Sequence, residues 1–263
     1  MDALSALRLQ IEWGADEALE DAPVDRMLAA PPPPARLPQG EGERHVVAAA
    51  PAVARASAVE RALHCAGAAG TLEELRGAIA AFDGCGLRDT ASNLVFAEGD
   101  PAATLLVIGE PPAADDDRSG SAFAGAAGAY LDRMLAAIAL ERGRVMLTPL
   151  IPWRPPGDRP PSRAELAVCL PFLHRLIALV APRRLLLMGL LTARSLLPQA
   201  TSRRRPRGAW LDVTVPGASL VLPALPTFSA AELMRDPSNR RAAWEDLQLL
   251  RRTLDEDAAS AVK

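Results

Sequence analysis

The sequence predicts an α/β domain with a mostly parallel sheet and helices on both of its faces. Three observations carry this reading. Short apolar runs recur at Thr104–Ile108, Arg144–Thr148, Arg184–Met188 and Ser219–Leu225, and unbroken runs of that length suit strands buried on both sides. Stretches with helical spacing alternate with them, at Ala129–Leu140, Ser162–Val180, Leu190–Leu197 and Asn239–Leu254. The connecting segments are long enough for right-handed crossovers between parallel strands.

Each element has a local cause. The first strand runs out in Gly109-Glu110 and the third in Gly189, as strands feeding a helix do. Ser162 with Glu165 three residues on is a capping box that starts the long helix, and Pro182 stops it. Upstream, Ala58–Phe82 is broken by Gly67 and Gly70 and reads as two short helices, with Thr71 and Glu74 as a second capping box.

Before residue 57 the pattern differs. Residues 1–21 hold Leu4, Leu7, Ile11, Trp13 and Leu19 at helical spacing, which predicts an amphipathic helix able to dock or to meet a protein partner through residues 1–20. Residues 22–56 are dominated by Ala and Pro, including Pro31–Pro34. Proline fixes φ and removes backbone donors, so an extended linker is expected there. The folded domain is then 57–263, with its core at 85–257.

Composition narrows the function classes. The chain of 263 residues is 49% hydrophobic and 23% charged, a globular rather than a disordered balance. Three cysteines without a CxxC pair argue against a disulfide framework and fit a reducing cytoplasm. No basic segment followed by an apolar run opens the chain, and no apolar stretch is long enough to cross a membrane, so a cytoplasmic protein is expected. The net charge of −3 is unevenly spread: residues 1–80 carry 7 basic and 12 acidic side chains, residues 81–263 carry 22 and 20. Arg203, Arg204, Arg205 and Arg207 cluster, either to meet phosphates or simply as a solvated loop.

In parallel sheets of this kind ligands bind beyond the carboxyl ends of the strands. The loops there are Gly109–Gly128, Pro149–Pro161, Gly189–Thr192 and Pro226–Pro237. Within them stand Gly109-Glu-Pro-Pro-Ala-Ala-Asp-Asp-Asp-Arg-Ser-Gly120, Ala122-Phe-Ala-Gly125, Trp153-Arg-Pro-Pro-Gly-Asp-Arg159, Arg207-Gly-Ala-Trp210 and Leu225-Pro-Thr-Phe-Ser-Ala-Ala-Glu-Leu-Met-Arg-Asp-Pro237. In this order and at these intervals, over about 170 residues, they resemble the motifs of family 4 uracil-DNA glycosylases.

The resemblance implies a three-layer α/β/α sandwich around a four-stranded parallel sheet. It implies base-excision DNA repair, by hydrolysis of the N-glycosidic bond of a flipped base, with single- or double-stranded DNA as partner. On the matching positions, Glu110 and Asp116 are the catalytic candidates, Phe123 is the ring that stacks on the base, and Ser229 stands in the base-binding motif. Arg154, Arg205 and Arg207 are the candidates for DNA contact.

Several positions depart from the family pattern. An Asn that reads the base edge is replaced by Pro149, and the motif His by Ser229, which keeps one hydroxyl donor but carries no charge. The family's four cluster cysteines correspond to Phe82, Cys85, Trp153 and Cys169. Two thiolates do not make the usual four-cysteine site, so no cofactor and no metal are expected, with Phe82 and Trp153 filling the vacated space. His45, His64 and His174 have no metal-ligand spacing. The implied functions are therefore a glycosylase of weak or altered activity, or a catalytically inactive relative that binds DNA or protein on the same fold.

Overall fold

The computed structural model describes residues 56–198 and 205–261. The expected N-terminal helix, nearly all of the linker, and Arg203 and Arg204 lie outside the described residues.

Three helices come first: α1 (Ala58–Ala68), α2 (Leu72–Ala81) and the single turn α3 (Leu87–Thr90). Ser57 caps α1 in a capping box with Glu60. At α2 the expected box is half formed. Thr71 accepts from the Glu74 amide, but the Glu74 carboxylate reaches one residue further back, to the amide of Gly70 at 2.6 Å.

The sheet has six strands: β1 (Glu98–Gly99), β2 (Leu105–Gly109), β3 (Met146–Pro149), β4 (Arg184–Met188), β5 (Leu211–Val215) and β6 (Leu220–Thr227), in the order β1-β3-β2-β4-β6-β5. The four central strands are the expected ones and all run parallel. The additions are the edges, β1 antiparallel to β3 and β5 antiparallel to β6. Both were missed for physical reasons. Strand β1 has two residues, and β5 alternates buried and exposed side chains rather than forming an apolar run.

Helices α4 (Ala114–Ser119) and α5 (Gly125–Ala136) follow β2. Next come α6 (Arg163–Val180) after β3, α7 (Leu190–Leu196) after β4, and α8 (Ala230–Arg235) and α9 (Arg240–Ala261) after β6. The Ser162–Glu165 box is present at the start of α6.

Strand pleating sends alternate side chains to opposite faces. Leu106, Ile108, Leu185 and Leu187 join a core with α1, α2 and α6, whereas Leu105, Val107, Leu186 and Met188 join one with α5, α8 and α9. This is the expected three-layer arrangement. The long helix α6 also anchors the N-terminal helices, and the Arg175 guanidinium donates to the Ala69 carbonyl at 2.8 Å.

Candidate functional site

The carboxyl ends of β2, β3, β4 and β6 open into one cleft of about 520 Å³, in the size range of small-molecule sites. All four loops singled out in the sequence contribute. Glu110 and Phe123 come from the first, Pro149 and Arg159 from the second, Leu190 and Leu191 from the third, and Ser229 and Glu232 from the fourth.

Glu110 lines the cleft. Its Oε2 accepts a 2.9 Å hydrogen bond from the Ser229 hydroxyl. Gly189, at φ +97°, makes room for it: a Cβ there would meet the Glu110 Cδ at 2.4 Å. Burial, with the charge of Glu232 adding to it, raises the Glu110 pKa, against the opposing pull of Ser229, Arg205 and Arg235. Ser229 also begins α8 as its N-cap, accepting from the Glu232 amide at 3.1 Å while its own amide donates to Glu232 at 2.9 Å. Its single hydroxyl proton is thus spent on Glu110.

Phe123 lies over Gly109, where a Cβ would meet its ring at 2.5 Å. To place the ring there the backbone takes φ +55°, a strained region for a residue other than glycine. Two side chains hold that turn. The Asp116 carboxylate accepts the Ala124 amide at 2.6 Å and the Ala113 amide at 2.8 Å. The Arg142 guanidinium donates to the carbonyls of Ala122 at 2.6 Å and Phe123 at 3.3 Å. Burial raises the Asp116 pKa and these two amides oppose it.

The three arginines expected to face DNA are all engaged within the chain. Arg154 pairs with Asp158 at 2.7 Å. Arg205 pairs with Glu232 and lies over the Phe228 ring at 3.9 Å. Arg207 pairs with Asp246 and Glu245 and donates to the Ala242 carbonyl. Arg194 and Arg235 line the cleft and are exposed.

Sequence reasoning passed over Asp117, Arg142 and Thr192. Asp117 is buried and accepts the amides of Ser92 and Asn93 at 2.8 and 3.1 Å, while the Asn93 side chain returns a bond to the Asp117 carbonyl. The signal was available in Asn93, a side chain that bonds readily to backbone. The Thr192 hydroxyl donates to the Gly109 carbonyl at 2.8 Å, fixing β2 against α7. Arg142 precedes β3 and gave no signal, since its acceptors, two carbonyls and the carboxylates of Glu98 and Asp132, lie 10 to 44 residues away.

Phe82, Cys85, Trp153 and Cys169 are buried in one core, with the Cys85 and Cys169 sulfurs 3.9 Å apart and Phe82 edge-on to Phe172 at 5.2 Å. The neighbouring void measures about 20 Å³, the room of a single water. Two thiols and that volume do not fit a four-thiolate iron–sulfur cluster. Among the described residues no group of three or more His, Cys, Asp or Glu is placed to hold a metal ion. No described helix is long and apolar enough to cross a membrane.

The family model of the Uracil DNA glycosylase superfamily matches residues 96–248, which take in every element of this cleft. This chain belongs to the uracil DNA glycosylase superfamily. Its similarities place it with the type-4 group. It is 32% identical to the type-4 uracil-DNA glycosylase of Pyrobaculum aerophilum over 68% of this chain and 92% of that protein. It is 28% identical to that of Sulfurisphaera tokodaii over 69% and 84%, and 31% identical to that of Thermotoga maritima over 62% and 84%.

Proposed function

We propose that this chain is a DNA base-excision glycosylase that hydrolyses the N-glycosidic bond of a nucleotide flipped into the cleft. The observation that carries the proposal is the convergence of Glu110, Phe123 and Ser229 beyond the strand ends. A flipped base stacks on the Phe123 ring, which offsets part of the cost of unstacking it. Glu110 lies beneath the sugar. As the bond from C1′ to the base breaks, the base leaves with the electron pair, and the carboxylate faces the positive charge developing on the sugar. A water oxygen then bonds to C1′ and gives its proton to Glu110. In this reading Asp116 is a positioning residue, since backbone amides occupy both of its oxygens.

The chain works without an iron–sulfur cluster in this proposal, with Phe82 and Trp153 packing where ligands would stand. The three cysteines are free thiols, which accords with a cytoplasmic setting.

A second reading, a DNA-binding relative without catalysis, is favoured by one specific feature. Pro149 offers no donor to the base, and the Ser229 proton is committed to Glu110. Purified protein incubated with a labelled single strand containing one uracil, then with alkali, separates the two. Alkali-sensitive sites that fall on the order of 10²-fold or more in Glu110→Ala, and fall in Phe123→Ala, support the glycosylase. No release at stoichiometric protein, on uracil and on a panel of deaminated bases, overturns it in favour of the second reading.

A further inference from the structure

A second concavity of about 250 Å³ lies between α5, α8 and α9, lined by Tyr130, Met134, Leu233, Ala243 and Trp244. It begins where the cleft ends. Ala127 lines the cleft and Tyr130 the groove, one turn apart on α5 and roughly 4.5 Å along its axis. Helix α8 likewise gives Arg235 to one and Leu233 to the other.

Two properties of this groove bear on what it could bind. Trp244, which lines it, is 41% exposed, a large apolar side chain left uncovered. The groove also carries cations that no carboxylate neutralises. Arg133 and Arg240 lie against the Tyr130 ring, at 5.1 and 5.8 Å from its centroid. Neither makes an ion pair among the described residues. The carboxylates around them are committed elsewhere: Asp132 to Arg142, Glu245 to Arg207 and Arg241, and Asp236 to Ser238 and Asn239. Arg154, Arg205 and Arg207, by contrast, are each paired.

A ring that contacts two guanidinium groups holds both cations at a groove wall, and an exposed indole in the same lining offers a flat stacking face. Cations that track a backbone, interleaved with an aromatic platform, are what binds a single nucleic-acid strand without regard to sequence. We infer that the groove between α5, α8 and α9 is a strand-binding site for single-stranded DNA, holding the nucleotides that flank the one in the cleft. A base stacks on Trp244 and phosphates meet Arg133 and Arg240. The inference rests on the reading of the chain as a DNA-acting protein, but not on its catalytic competence.

The test is fluorescence anisotropy of the full chain with a labelled single strand of thymidines, which contains no damaged base, across a salt titration. Trp244→Ala is expected to weaken binding roughly tenfold. The double variant Arg133→Gln/Arg240→Gln is expected to lower the slope of log affinity against log salt by about 1.4. These side chains are exposed or at the rim, and thermal melts confirm that the variants fold. Wild-type affinity and slope in both folded variants overturn the inference, even if the wild type releases bases. Groove-dependent binding with no base release upholds it while removing the catalytic proposal. Binding lost in Arg205→Gln and not in the groove variants would place the strand elsewhere and also overturn it.

Discussion

Asp116→Asn is the most informative single change, because it keeps the shape of the side chain and removes one acceptor. The carboxylate accepts two backbone amides, from Ala113 at 2.8 Å and Ala124 at 2.6 Å. Asn has one oxygen, so one amide faces an NH2 group instead. Losing a bond to a charged acceptor costs about 1.5–3 kcal/mol, and the stranded amide adds about 1–3 kcal/mol. Removing a half-buried charge returns part of this, since burial already opposes ionisation of Asp116. The net expectation is about 2–3 kcal/mol, or about 4–12 °C in melting temperature for a domain of this size. The same change loosens the Phe123 turn at φ +55°, whose strain of about 1–3 kcal/mol persists only while its surroundings over-determine it. Urea melts of wild type and variant measure the first effect, and base release from a uracil strand measures the second. A loss below about 0.5 kcal/mol would refute the argument that Asp116 holds this loop.

Gly189→Ala places a methyl 2.4 Å from Glu110 and puts an alanine at φ +97°. Strain and overpacking together predict a loss of about 2–4 kcal/mol and any base release falling with it, read by the same two assays. Glu110 is held above the ordinary carboxylate range chiefly by burial and next by Glu232. A raised carboxyl contributes stability that is complete below its unfolded value and is lost as pH rises through the folded one. Base release that needs the carboxylate should therefore show an acid limb above the usual 4.5, moving down in Glu232→Gln, and a pH–rate profile checks this. Glu165 has the opposite sign: its bond to Arg159 holds it down to about 2, so its contribution is present above 4.5 and lost as pH falls through about 2. Acid unfolding of Arg159→Gln at higher pH than wild type is the expected result. Protein purified without oxygen should carry no stoichiometric iron and no visible cluster absorbance, and iron near four atoms per chain would contradict the packing of Phe82 and Trp153.

The parallel core was legible because its cause is local. A strand buried on both faces must be apolar throughout, and Leu105–Ile108 and Leu185–Met188 show that without reference to the rest of the chain. The motif loops placed Glu110, Phe123 and Ser229 for a related reason, since each sits at a fixed offset from a strand end. Helix α8 was passed over although its start is written in Ser229-Ala-Ala-Glu232, the same capping pattern recognised at Ser162 and Glu165. Reading Ser229 as a replaced motif residue obscured its role as a helix cap. The two roles are connected: the hydroxyl that accepts from the start of α8 aims its proton at Glu110.

The partners of the arginines were hidden for the opposite reason. Arg205 and Arg207 show their charge in sequence but not their partners, which lie 27 and 39 residues away, at Glu232 and Asp246. Each ion pair subtracts a cation from the surface that a phosphate would meet. Among the described residues the cations left without an ion pair include Arg133 on α5 and Arg240 on α9, too far apart in sequence to form a run and brought together by one tyrosine ring. A basic cluster is therefore a weak guide to a nucleic-acid surface in a chain with 28 arginines and 32 acidic residues. The informative quantity is the charge left after internal pairing, and only the folded arrangement supplies it.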